Sequence, residues 1–307
     1  MGTTASTPRG GSADSEAPQP RQRPATWSQR GVDDDLATAV AAGDAGAVWW
    51  CVARGADPAA RGNNAIKRAA VLGHVGVARY LVAGVPLRQG VDPAVQDNYP
   101  LIAAAQCGHL GVVRVLMEEV ARSRGVSPRP HNPLNSPLAV ACQNGHLAVV
   151  RYLLFRVPAD RGVDPSLGGN MALVQAVTGN QLDVVKCLVE EVPRHRGVNP
   201  GAGDNHALAI ACQCGFTPVV RYLLRLPLDR GVDPSVGDQR PLGLACAAGH
   251  VGAVRSLCED AAVARGVDPS VRDNRPLVGF GWWWVVVAVV SGGGGPGFNL
   301  AQVQRPQ

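Results

Sequence analysis

Four histidines recur along the chain, each directly after a glycine, and imidazole is a common ligand for transition metals. They are His74, His109, His146 and His250. Their spacing of 35 residues or more places each one in its own structural unit. Zinc needs ligand atoms about 2 Å from the ion, whereas packed helices lie about 8–10 Å apart. One histidine per unit cannot converge on one ion, so we predict a structural role for them and no metal site.

Cysteine also recurs at one position, four residues after a leucine. In successive units this position holds Ala105, Cys142, Val177, Cys212 and Cys246. A position shared by Ala, Val and Cys is small and apolar, and a free cysteine suits such a buried site. Two further cysteines precede a glycine and are expected to be more exposed, namely Cys107 and Cys214. None of the eight cysteines forms a CxxC motif, which favours reduced thiols in a cytoplasmic or nuclear protein.

Carboxylate pairs could perform acid–base chemistry, and two of them, Glu118-Glu119 and Glu190-Glu191, lie late in their units. They recur in step with Glu259-Asp260, which favours a solvated helix face over a catalytic pair. The chain contains no Walker loop, no HExxH, no GxSxG and no kinase signature. We therefore predict no catalytic residue, no cofactor and no enzymatic activity.

The charge pattern gives little reason to expect nucleic-acid binding. The 307 residues carry a formal charge of +5, and this charge is spread along the chain without a run of five like charges. Aromatic residues make up only 5% of the chain. Any core is therefore built from Ala, Val and Leu.

A repeat organises these residues. A Gly-Val-Asp-Pro-like tetrapeptide begins at residues 90, 125, 162, 197, 231 and 266, and a fixed period of this size is typical of stacked arrays. In the unit around Asp97 to Met117, the spacing of Leu101 and Ala104 predicts a short helix with one buried face. Asp97 and Asn98 are candidate caps of this helix.

A glycine in the left-handed conformation is expected to end each first helix, as at Gly108. In the fifth unit Asn180 takes its place, and Asn tolerates this conformation. A second helix follows, with a buried face of Val112, Val113, Leu116 and Met117. Each unit is therefore predicted to be helix, turn, helix and loop.

The units resemble ankyrin repeats. The resemblance rests on the Gly-His turn, the following Val-Val-x-x-Leu-Leu, and an exit such as Arg54-Gly55-Ala56-Asp57-Pro58. It covers residues 33 to 277, about seven units and the start of another. The family's Thr-Pro-Leu-His is altered here, for example to Tyr99-Pro100-Leu101-Ile102. The resemblance implies an all-α helix-turn-helix solenoid that binds proteins with its concave face and loop tips.

Positions that differ between units on this framework are candidate protein contacts. The position before Pro/Ala-Leu accepts Tyr, Ser, Met, His and Arg, so it does not lie in a packed core. Carried over from the family, the candidate contacts are Tyr99, Gln106, Gln143, Asn144, Met171, Thr178, His206, Gln213 and Arg240. The alternative is that these positions vary because nothing uses them. Two extra residues within 130–135 should make the loop tip of the fourth unit protrude.

The two ends differ from the array. Residues 1–31 are rich in Pro, Ser, Thr, Gly and Arg and are predicted to be a disordered tail. Gly2 begins a possible myristoylation signal, or a chance match in such a tail. Residues 278–307 form an aberrant low-complexity Trp/Val/Gly tail. The apolar run from Leu277 to Val290 has 14 residues and is short for a membrane span. The alternatives are a strand or plug on the last repeat, or translated non-coding or frame-shifted sequence.

Taken together, these observations predict an ankyrin-like array over residues 32–277 that serves as a non-catalytic scaffold or adaptor. The expected partner is another protein, with no nucleic acid, no membrane span, a monomeric state and a cytoplasmic or nuclear location. Two alternatives to this prediction stay open. In the first, the array is the N-terminal regulatory region of a larger signalling enzyme or channel. In the second, it is a membrane-associated adaptor.

Overall fold

The computed structural model describes residues 31–260, except 86–89, 121–124, 130–131, 159–160, 162 and 231. The predictions for the tails at 1–31 and 278–307, and for Gly2, fall on residues outside this part of the chain. The segment boundaries proposed above therefore stay predictions. Within the described residues the chain is helical and contains no β-strand.

Fourteen α-helices follow one another in pairs along the described chain. They are α1 (Val32–Ala42), α2 (Ala45–Ala53), α3 (Ala60–Leu72), α4 (Val75–Arg79), α5 (Val95–Gln106), α6 (Leu110–Arg114), α7 (Pro137–Gln143), α8 (Leu147–Phe155), α9 (Leu167–Thr178), α10 (Leu182–Lys186), α11 (Ala202–Gln213), α12 (Thr217–Arg225), α13 (Val236–Ala247) and α14 (Val251–Arg255). Four of the second helices continue directly into a π-helical turn, over Tyr80–Gly84, Val115–Glu119, Cys187–Glu191 and Ser256–Asp260. Short 3-10 turns occupy Pro133–Asn135, Arg194–Arg196 and Leu228–Arg230.

The pairs stack into two layers. Each first helix (α1, α3 and so on to α13) packs on the first helix of the next unit, and each second helix packs on the next second helix. We number the helix pairs as units 1 to 7, from α1–α2 to α13–α14. The predicted all-α solenoid is thereby confirmed.

The core contains one large aliphatic side chain from most helices. Leu101 and Leu116 of unit 3 are fully buried, as are Leu173 and Leu188 of unit 5. The predicted faces of unit 3 are confirmed, since Ala104, Ala105, Val112, Val113 and Met117 are buried as well. Small residues between these leucines let neighbouring units approach closely, so a core with few aromatic residues fills its volume.

The turn between the two helices of each unit has the predicted left-handed conformation. The φ angle is +77° at Gly145, +73° at Gly215 and +57° at Asn180. An L-residue with a β-branched side chain is disfavoured there. The reversal between the two layers therefore depends on Gly or Asn.

The entry into the first helices differs from the prediction. Asp97 and Asn98 have positive φ angles of +57° and +64°, so they form a left-handed turn ahead of the right-handed helix. The Asn98 Oδ1 accepts a hydrogen bond from the Ser127 N–H of the next loop at 2.9 Å. In unit 4 a conventional cap forms at the first helix, where Ser136 Oγ accepts from the Ala139 N–H at 2.9 Å.

Arginines hold the longer loops after the second helices. Arg196 donates from Nη1 to the Leu154 carbonyl at 2.7 Å and from Nη2 to the Val163 carbonyl at 2.8 Å. Arg161 and Arg230, at the equivalent positions, donate to the carbonyls of Met117 and Val189. The loop residues that make these units longer than usual are therefore tied to the preceding unit.

Candidate protein-binding face

The histidine column forms a ladder of hydrogen bonds between units. The Nε2 atoms of His109 and His146 lie 2.9 and 2.8 Å from the carbonyl oxygens of Val71 and Gln106. His74 and His250 make the same contact with the preceding unit. A carbonyl oxygen only accepts, so Nε2 carries the hydrogen. The structural role predicted for these histidines is confirmed by these partners.

The ladder also favours glycine in the turns, because the histidine of the next unit lies against the turn glycine. A Cβ added at Gly108 would lie 2.6 Å from His146 Nδ1, in addition to the strain of its φ angle of +77°. Gln181 replaces the histidine in unit 5 and reaches the Gln143 carbonyl at 3.4 Å. Among the residues that the structure describes, no group of His, Cys, Asp and Glu side chains could hold a metal ion.

The recurring cysteines are core residues, as predicted. Cys142, Cys212 and Cys246 are buried, whereas Cys107 and Cys214 are exposed. Burial raises the pKa of the Cys246 thiol to about 12 and raises the pKa of the Cys142 and Cys212 thiols. A thiol with such a pKa is a poor nucleophile near neutral pH.

The carboxylate pairs are solvent-exposed and link neighbouring units. Glu119 accepts a hydrogen bond from Arg79 Nε at 2.9 Å, and Glu118 accepts one from the Tyr152 hydroxyl at 3.0 Å. In the same way Glu191 binds Arg151, and Glu190 binds Tyr222. These contacts recur with a period of two units, because Glu118-Glu119 and Glu190-Glu191 lie in units 3 and 5 and their partners lie in units 2, 4 and 6. The pairs thus bridge second helices.

The predicted contact residues lie along the layer of first helices, which we call the first-helix face. Eight of them are exposed: Tyr99, Gln106, Gln143, Asn144, Thr178, His206, Gln213 and Arg240. Met171 is half-buried. The structure therefore places at least one of these side chains on each of units 3 to 7.

Their internal hydrogen bonds divide these side chains into two kinds. Asn144 Nδ2 donates to the Val140 carbonyl at 2.8 Å, and Thr178 Oγ1 donates to the Val174 carbonyl at 2.9 Å. The glutamines at 106, 143 and 213 use only their backbone carbonyls, which accept from the next unit. Their side chains make no hydrogen bond to the rest of the described chain. The amide groups of these exposed glutamines therefore take no part in the hydrogen bonding of the described chain.

Sequence reasoning missed several residues of this face. Lys67, Arg68, Val71 and Leu72 of α3 line, with Tyr99, a groove of about 480 Å³ between units 2 and 3. Comparing unit 2 with the other units, position by position, would have identified these residues, because their types differ from those at the equivalent positions. The sequence analysis also did not single out Gln175 of α9. Its Oε1 is buried and has no hydrogen-bond partner among the described residues.

None of the described helices is long and apolar enough to cross a bilayer.

The family model for ankyrin repeats, which describes three copies, matches residues 36–129, 85–165, 120–204, 138–238 and 173–273. These matches span most of the chain, so the chain belongs to the ankyrin-repeat family. Ankyrin repeats are generally protein-interaction modules, and the family is typically non-catalytic. No curated protein matches the sequence significantly.

Proposed function

We propose that this chain is a non-catalytic scaffold or adaptor whose first-helix face binds another protein. The observation that carries this proposal is the contrast between framework and face. Leu101, Leu173 and Leu208 are equivalent and fully buried. Two residues before each of them, Tyr99, Met171 and His206 share no chemistry. A fixed framework that carries dissimilar side chains on one face suits recognition of a specific partner surface.

The ladder of hydrogen bonds supports the same function. His146 and Gln181 fix the backbone at Gln106 and Gln143, the ends of two neighbouring first helices. Their side chains are therefore presented from a rigid backbone. Such preorganisation reduces the entropy lost on binding.

The free thiols support a reducing location for this scaffold. Within the described residues no cysteine forms a disulfide, as expected in the cytoplasm or nucleus. We accordingly propose a cytoplasmic or nuclear adaptor.

Site-specific photo-crosslinking in cells that make the protein tests the assignment. A crosslinking amino acid is placed at Gln143 or Gln213 on the first-helix face, and at Lys186 or Arg225 on the second helices as matched controls. All four positions are exposed. We expect the first pair to capture one common protein that the second pair does not capture. Capture from the second-helix positions alone, or from none of the four, would contradict the proposal.

A further inference from the structure

Unit 2 reverses the polarity of the first-helix face. At the sixth and fifth positions before the Gly or Asn of the turn, the other described units carry uncharged residues, such as Ala139-Val140 in unit 4. Unit 2 carries Lys67-Arg68 there. At the two positions directly before the Gly or Asn of the turn, the other described units carry small or polar residues, such as Gln143-Asn144. Unit 2 carries Val71-Leu72 there.

These substitutions produce a surface that is apolar and basic at once. The exposed fraction is 39% for Val71, 43% for Leu72 and 42% for Tyr99. All three side chains line the groove between α3 and α5, together with Lys67 and Arg68. Exposed large apolar residues that gather in one groove are typical of interaction sites.

The two cations have no carboxylate partner within the described chain. Lys67 Nζ donates to the Gln96 Oε1 at 3.4 Å, a neutral acceptor. Arg68 is exposed and makes no ion pair with any described residue. By contrast, Arg79 and Arg151 on the second helices bind Glu119 and Glu191. The groove therefore leaves two positive charges available beside an apolar surface.

We infer that this groove binds a partner segment that carries a large apolar side chain flanked by carboxylates. The apolar side chain packs against Val71, Leu72 and Tyr99, and the carboxylates pair with Lys67 and Arg68. Charge complementarity selects this class, because such pairs give specificity and faster association. The inference rests on the proposed function and names the chemistry of the partner at one site of the same face.

A peptide selection with the full chain tests the inference. A displayed library of random twelve-residue peptides is selected on the wild type and on three variants. The first reverses the groove charges (Lys67→Glu with Arg68→Glu), and the second introduces the residues of unit 4 (Val71→Gln with Leu72→Asn). The third is a control that makes the same charge change on the second helices (Lys186→Glu with Arg225→Glu). Circular dichroism checks that all variants are folded.

We expect the wild type and the control to select peptides that combine Asp or Glu with Leu, Phe or Trp. Charge reversal should weaken binding of a selected peptide at least about tenfold, and added salt should weaken it on the wild type. The second variant should lose the preference for apolar residues. An equal affinity of the groove variants and the wild type would overturn the inference.

Two further outcomes overturn it and separate it from the proposed function. If binding is lost only when Gln143, His206 and Gln213 are replaced by Ala, the first-helix face binds proteins but this groove does not. If the chain forms a concentration-dependent dimer that charge reversal abolishes, the groove is occupied by a second copy. Analytical ultracentrifugation of the wild type and the charge-reversed variant measures this.

Discussion

Arg196 connects three parts of the chain, because its guanidinium donates to the Leu154 carbonyl at 2.7 Å and to the Val163 carbonyl at 2.8 Å. Leu154 lies at the end of helix α8, where carbonyls lack a partner within the helix. Val163 belongs to the loop that follows. Arg196 follows the second helix of unit 5, and its planar guanidinium donates one hydrogen bond to each of these two carbonyls.

Replacing Arg196 by Lys should therefore lower the free energy of unfolding by about 1–3 kcal/mol, since a single ammonium cannot reproduce both hydrogen bonds. Urea unfolding followed by circular dichroism measures the change. The control is Arg194→Lys, because Arg194 forms an exposed ion pair with Asp229. Equal losses in the two variants would contradict a specific role for Arg196.

Valine at Gly215 should destabilise the protein by at least about 1–2 kcal/mol, since its φ angle of +73° disfavours a β-branched residue. The added Cβ would also lie 2.5 Å from His250 Nδ1. Gly145→Val should lower stability for the same backbone reason, and a melting temperature unchanged in both variants would show that the turns are placed wrongly. The control is Gly76→Ala within α4, where the nearest atom is 3.6 Å from the new Cβ, and which should be neutral or stabilising by up to about 1 kcal/mol.

His109→Ala should lower stability by about 1–2 kcal/mol, because the carbonyl of Val71 loses its donor. His109→Gln should cost less, since Gln181 fills the equivalent position and reaches the equivalent carbonyl. Thermal melting of both variants measures this order. Wild-type melting should not change with EDTA or with added zinc, and a zinc-dependent increase would contradict the structural role of the ladder.

Thiol labelling should distinguish two cysteines from the other six. Cys107 and Cys214 are exposed and should react quickly with a disulfide reagent at neutral pH. The buried thiols should react only on unfolding, and burial raises the pKa of Cys51 and of Cys187 to about 11. The double variant Cys107→Ser with Cys214→Ser should lose the fast phase. A third fast thiol would show that the stack opens at another unit.

The ion pair between Arg151 and Glu191 should give a small pH dependence. The hydrogen bond from Arg151 lowers the pKa of Glu191 below its ordinary value of 4.5 in the folded chain. A carboxylate with a lowered pKa stabilises the fold above its unfolded pKa, and this contribution is lost as the pH falls through the folded pKa. Glu191→Gln should therefore lower stability slightly at pH 7 and make no difference well below pH 4. Both residues are exposed, so high salt should reduce the effect.

Local patterns of the sequence predicted the unit and its core. The position of Leu101 relative to Ala104 and Ala105 follows the helix period, so burial of one residue predicts burial of the others. Gly145 and Asn180 predict a turn, because each residue type by itself tolerates the left-handed backbone conformation. The cysteine position could be recognised as core because Ala105 and Val177 share it.

The same reasoning could not identify contacts between units. Asn98 was predicted to cap its own helix, but its side chain binds the Ser127 N–H, 29 residues ahead. The carboxylates of Glu118 and Glu119 were predicted to be solvated, and their partners in units 4 and 2 are not visible in the local pattern. The groove at Lys67 and Leu72 was not predicted, because residues of two neighbouring units line it.

The sequence by itself determined the repeat, the helix pairs, the left-handed turns and the apolar core, because each depends on preferences that act over one or two helical turns. Only the tertiary structure decided which carbonyl Arg196 and His109 bind and where Val71 and Tyr99 meet. Those contacts join residues about one unit apart, such as His109 and Val71, separated by 38 residues. Stacking sets which atoms face each other across that separation, and no local preference encodes it.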